Sequence, residues 1–286
     1  MKKKSCYRTK MILSIILSLL ALVIAQVLAQ LLGGALVLVK MPAFVANAVA
    51  GILYIVITYF LLKVICIKLL KGDMSEYNIP AFRIDIKWVI VAILLPLTVT
   101  AFYILFVPGS FEQNVLDMNS KLDLLSAGIF FTGLGAGIVE EMVFRGILMG
   151  AIEKRFNKTV AIIVPSVLFG LVHILGMGFD LLSCTLVIVA GTMVGVMFSL
   201  IASSTKSVWN SAIVHAIWNI IIIGGILWTG TEFDESSLFS FVLESKSFLL
   251  TGGEFGIEAS IIAVIGYAIV CAIVWLGNKR TKKFNA

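Results

Sequence analysis

Six residues able to do polar chemistry stand inside runs that are otherwise apolar. They are Glu140, Glu141 and Arg145, then His173, then His215 and Asn219, and the two histidines are the only ones in the chain. Charge at membrane depth costs a few kcal/mol or more, so such groups tend to face a bundle interior and to serve function. A carboxylate, two imidazoles and an amide suit two tasks. They can activate a water, and they can donate hydrogen bonds to the oxyanion that forms when water attacks a carbonyl. Glu140 is the natural base, His173 can hold the water or share its proton, and His215 and Asn219 can donate to the oxyanion. Serine or thiol attack is less well served, because Ser166, Cys184 and Cys271 have no base at a helical neighbour position.

Spacing sorts these groups into faces. Glu141 and Arg145 are four apart in the order that favours a helical ion pair, as are the positions of His215 and Asn219 on one shared face. Glu140 is turned about 100° from Glu141 and stays clear of that pair. Phe169 precedes His173 by four and can wall the same pocket. Gly133, Gly137, Gly146 and Gly150 offer small faces for close helix approach. At about 1.5 Å per residue, the functional groups reach roughly 12–21 Å from one membrane face. Their convergence on one level argues for a site more than for scattered helix glue, although each group alone reads most simply as packing.

The elements that position them read as membrane spans. The chain has 286 residues, 60% hydrophobic and 13% charged, with a mean hydropathy of +1.08, far from soluble composition. Runs of about 20 apolar residues are needed per span. They fall at 11–39, 43–70, 88–107, 124–151, 160–175, 181–202, 208–228 and 257–277. The fold class expected is therefore all-α: a polytopic membrane protein of about eight helices, forming a single bundle over 1–286 with a motif-bearing core at 124–225. The basic start and Val27-Leu28-Ala29 resemble a signal peptide and its cleavage site. The apolar run continues past Ala29, so an uncleaved first span is expected.

Charge sets the orientation. With both termini inside, the inner segments hold 18 of the 22 basic residues, while the outer ones hold Lys40, Lys121 and Lys246. The net charge of +6 thus reports topology, and no nucleic-acid partner is expected. Gly72–Lys87 reads as an interfacial segment on the inner face, and Leu238–Leu243 as one on the outer face. Four cysteines stand singly, with no CxxC or paired spacing, so neither a disulfide framework nor a thiolate metal site is indicated. Secondary transporters commonly carry internal repeats, and none is visible here.

Taken together, Glu140-Glu141-x-x-x-Arg145, Phe169-x-x-x-His173 and His215-x-x-x-Asn219 resemble the three motifs of the CPBP family. These are the type II CAAX prenyl endopeptidases with their bacterial, lysostaphin-resistance-like relatives in bacteriocin processing and self-immunity. The resemblance covers about residues 124–225. It implies an eight-helix intramembrane bundle in which Glu140 and His173 activate water and His215 and Asn219 form the oxyanion hole. Glu141, Arg145 and Phe169 take supporting places. It implies an intramembrane endopeptidase acting on a membrane-associated peptide or lipidated protein, in the plasma membrane of a prokaryote. The alternative is a non-catalytic immunity or scaffold protein that binds a peptide or membrane partner in the same cavity. No cofactor is expected. The metal alternative is zinc on Glu140, His173 and His215, against which stand the missing HExxH and the poor ligand quality of Asn219.

Overall fold

The computed structural model describes residues 2–175, 177, 178 and 180–284. Eight principal helices follow in order: α1 Lys2–Leu38, α2 Ala43–Val64, α3 Ile86–Phe106, α4 Met118–Arg155, α5 Lys158–Val172, α6 Leu181–Thr205, α7 Val208–Ile222 and α8 Ile261–Phe284. Six of these eight are long and apolar enough to cross a membrane, and α5 and α7 are shorter apolar helices. The side chain of Cys6 lies outside the described residues.

Small residues set the helix seams. On α1, Ser14, Ser18, Ala21, Ala25 and Ala29 recur at helical spacing and are buried. This stripe lets α2 lie close, down to Gly33, where an added Cβ would stand 3.0 Å from the Cβ of Ala50. On α5 and α6, an added Cβ at Gly191 would come to 2.7 Å from the Cα of Gly170, so these two helices meet almost backbone to backbone. The second half of α4 is buried on every side from Glu141 to Ile152. It is the axis of the bundle, and its all-round apolar surface is what such a position requires.

α4 is not a uniform α-helix. Residues Ala127–Ala136 and Met142–Leu148 run as π-helix, flanking the short α-helical stretch Gly137–Glu141 that carries both glutamates. Such widened turns inside α-helices gather at functional sites.

Two sets of loops close the two ends. At one end, the backbone N–H of Val208 donates to Asn78, and Trp209 Nε1 donates to the carbonyl of Pro80. Glu76–Lys154 and Glu153–Lys206 ion pairs, at 2.8 and 3.5 Å, join the same end. At the other end, β1 Gly109–Gln113, β2 Leu227–Gly230 and β3 Phe239–Leu243 form a sheet in the order β1-β3-β2. β1 pairs antiparallel to β3, with Phe111 opposite Phe241, and β2 pairs parallel to β3. The loops grouped by basic charge in the sequence are thus the loops grouped in space.

The structure corrects several expectations. The fold is mostly helical and not all-α, because Phe239–Leu243 pairs with two partner strands. The segment 72–87 folds beneath α4, with Tyr77 and Ile79 buried. The glycines Gly146 and Gly150 face that segment, where an added Cβ would meet Ile79 and Tyr77, and do not face another helix. The runs 160–175 and 208–228 end early, at Val172 and Ile222, and the last helix starts at Ile261, past residue 257.

Candidate active site

Local sequence delivers each helix end to the site. α5 opens on Asn157, whose side chain accepts from the N–H of Val160, and α7 on Ser207, which accepts from Trp209. α5 stops at His173, whose Nδ1 donates to the carbonyl of Phe169 at 2.6 Å. His173 therefore caps its helix, one residue past its end at Val172. Gly137 brings α4 against α7, with room for no Cβ between it and the backbone of Ala216. That contact sets Glu140 and Glu141 beside His215.

Glu141 is the hub of the buried polar cluster. Glu141 and Arg145 are each 0% exposed. Arg145 donates through one terminal nitrogen to Glu141 Oε1 at 2.8 Å, and through the other to the carbonyl of Gly195 at 3.2 Å. His215 Nδ1 reaches the same Glu141 oxygen at 3.2 Å. The guanidinium also lies over Phe169 at 4.4 Å and Phe198 at 5.2 Å. Phe198 stacks on His215 with centroids 4.6 Å apart, and Phe169 sits 4.4 Å from His173. Two aromatic rings therefore join the cation to both histidines.

Glu140 stands apart from that network. Its Oε2 has no hydrogen-bond partner and lies 3.8 Å from His215 Nε2, beyond hydrogen-bond length. Asn219 donates from Nδ2 to the carbonyl of Thr132 at 3.0 Å, which leaves its second N–H. Glu140, Phe169, His173, His215 and Asn219 all line one cavity of about 320 Å³. Glu141 and Arg145 are not on its wall; they lie behind His215.

The cavity also has members that composition and spacing do not single out. Phe198 and Thr132 carry no polar signature that separates them from ordinary helix residues. Glu258 sits in the short turn Ile257–Ala259 before α8 and lines the same cavity. Its signal was an acidic residue within an apolar run, masked by the reading of that run as one span. Burial pushes its carboxyl up to about 7.

Both imidazoles keep Nδ1 on an oxygen and Nε2 without a hydrogen bond, as metal-bound histidines also do. Yet among the described residues no three His, Cys, Asp or Glu side chains gather closely enough to hold a metal ion. Glu140, His173 and His215 share a cavity without forming a ligand set.

A polytopic, membrane-type helical bundle that folds a free carboxylate, two imidazoles and an amide around one internal cavity is the class of protein seen here. Residues 123–221 match the family described as Rce1-like type II CAAX prenyl endopeptidase, and this segment holds all six polar motif residues. Over 111 residues the chain is 29% identical to a Bacillus subtilis (strain 168) protein named "Putative membrane peptidase YdiL". That alignment covers 39% of this chain and 41% of the relative, so the chain spans about two fifths of the length of the curated relative it matches. No solved structure matches it.

Proposed function

We propose that the protein is an intramembrane endopeptidase that hydrolyses a peptide bond in a membrane-associated, including lipidated, peptide. The observation that carries this reading is the convergence of Glu140, His173, His215 and Asn219, from two helices and one helix cap, on a single cavity. On this reading the whole of 1–286 works as one bundle with its core at 124–225. Its eight helices lie in the plasma membrane with both termini in the cytoplasm, as the distribution of basic residues favours.

Glu140 acts as the base. Its unpartnered oxygen accepts a proton from water held between it and His173, and the hydroxide attacks the scissile carbonyl. The second N–H of Asn219 donates to the oxyanion. His215 donates to Glu141 through Nδ1, so a second donor at Nε2 requires the doubly protonated ring. Glu140 then passes its proton to the leaving amine. Aligned donors of this kind, in a site without bulk water, are commonly the largest catalytic contribution.

The test is cleavage of a library of membrane-anchored peptides by wild type and Glu140→Gln in lipid nanodiscs. Cutting by wild type alone supports the reading. Equal cutting by both removes Glu140 from the chemistry, and no cutting by either leaves a binding cavity without hydrolysis.

A further inference from the structure

The cavity holds a second carboxylate that this mechanism does not use. Glu258 reaches the wall from a turn held in place by its neighbours: Tyr267 Oη donates to the Glu258 carbonyl at 3.1 Å, and the N–H of Ser260 donates to Ile257. The carboxylate itself receives one long contact, from Trp218 Nε1 at 3.5 Å. Trp218 immediately precedes Asn219 on α7, and Glu258 and Asn219 line the same cavity.

Among the described residues no lysine or arginine answers this charge, and His215, which lines the same cavity, is tied through Nδ1 to Glu141. No lysine or arginine lines the cavity. Arg145, the cation at the heart of the bundle, is committed to Glu141 and Gly195 and to two aromatic rings. Glu141 is matched by Arg145, while Glu140 and Glu258 both face the empty space. A carboxylate in a largely apolar cavity with a single long hydrogen bond is costly to ionise, and burial accordingly raises the Glu258 carboxyl to about 7. A ligand that brings a positive charge removes that cost. The nearby faces of Trp218, Phe255 and Tyr267 add surfaces that attract cations.

We propose that Glu258 forms a cation-accepting subsite, so that the preferred substrate places a lysine or arginine side chain, or a free amino terminus, close to the scissile bond. This rests on the reading of the cavity as a peptidase site. The same field disfavours a substrate that carries a carboxylate into the cavity.

The experiment uses fluorescent membrane-anchored peptides identical except for one Lys, Gln or Glu moved along the anchored segment. Binding is measured by anisotropy to the full-length Glu140→Gln protein in nanodiscs, and cutting is measured with wild type. At one position, or two adjacent ones, Lys should bind about 10- to 100-fold tighter than Gln, the worth of a hydrogen bond to a charged group, and Glu more weakly than Gln. Adding Glu258→Gln should bring the Lys-to-Gln ratio to about one, whatever the absolute affinity, whereas Glu258→Asp should keep its sign. The subsite is overturned by absence of charge preference at every position, or by a ratio unchanged in Glu258→Gln. Should the Gln variant fail to fold, the position scan and the Asp variant still decide. If the Lys preference is present but wild type cuts nothing, the peptidase reading falls and the subsite stands. If wild type cuts with no charge preference, the reverse holds.

Discussion

Glu141→Ala tests the hub of the cluster. Glu141 Oε1 accepts from Arg145 at 2.8 Å and from His215 at 3.2 Å, and neither Glu141 nor Arg145 is exposed. Removing the carboxylate strands a buried guanidinium, which costs about 3–5 kcal/mol. It also frees His215 from the bond that fixes its ring. Glu141→Gln separates these effects, because the amide oxygen can still accept from both donors while the counter-charge is gone. The expected order of stability is wild type, then Gln, then Ala, with the loss in Ala partly recovered when Arg145→Met is added. Detergent-solution melting, together with single-turnover cleavage, reads out the series. A Glu141→Ala protein that melts within about 1 kcal/mol of wild type would refute the reasoning, since breaking a fully buried pair cannot be that cheap. A Glu141→Ala protein that is stable but inert, while Glu140→Gln still cuts, would reverse the roles given to the two glutamates.

Four further outcomes follow from the geometry. Glu140→Gln should melt like wild type, because Oε2 has no partner to lose, while hydrolysis nearly vanishes; a changed melting point with normal turnover contradicts this. Asn219→Ala should lower kcat by about 10²–10³ with little change in KM, and should also lose the tie to Thr132, so a purely structural role would show as lost stability at unchanged kcat. Glu258 carries a pH signature. Burial raises its carboxyl from 4.5 to about 7, so its contribution to stability is full below the unfolded value and is lost as pH rises through about 7. The whole effect is about 3 kcal/mol at most, and comparing the pH slope of unfolding in wild type and Glu258→Gln isolates it from Glu140, His173, His215 and Tyr267, which share the cavity. Reporter fusions after Lys71 and Lys158 should read cytoplasmic and those near Gln113 and Glu235 external; a reversed signal at Lys158 would invert α4 and α5.

Much of the site is legible from residue type and spacing, because polar groups are rare in so apolar a chain. The Glu141–Arg145 pair and the isolation of Glu140 follow from helical angles, and the structure has both. Helix ends are harder. The run from Val208 stays apolar through Trp228, and hydropathy cannot see that hydrogen bonding stops at Ile222, where Gly224 and then Gly225, with φ of 77°, turn the chain. His173 likewise sits in an apolar run that its own side chain ends by capping. The strand at Phe239–Leu243 needs partners more than 100 residues away in β1, a pairing no local pattern encodes. Glu258 was hidden for a related reason. The two residues that separate it from the start of α8, Ala259 and Ser260, end a short turn, and composition reads them as more of the same helix.

The two shortest principal helices have a consequence for the lipid. α5 and α7 have 15 residues each, about 22 Å of rise, against a hydrocarbon core of about 30 Å. Each is shorter than the hydrocarbon core, and both stop at the candidate cavity. In a bilayer this shortfall is met by local thinning or by a dip of the aqueous boundary along the bundle wall. On the proposed reading, water then need not cross an apolar barrier to reach Glu140. A peptide held at the headgroup level would meet the site at the floor of that dip, with its lipid anchor still among the surrounding acyl chains.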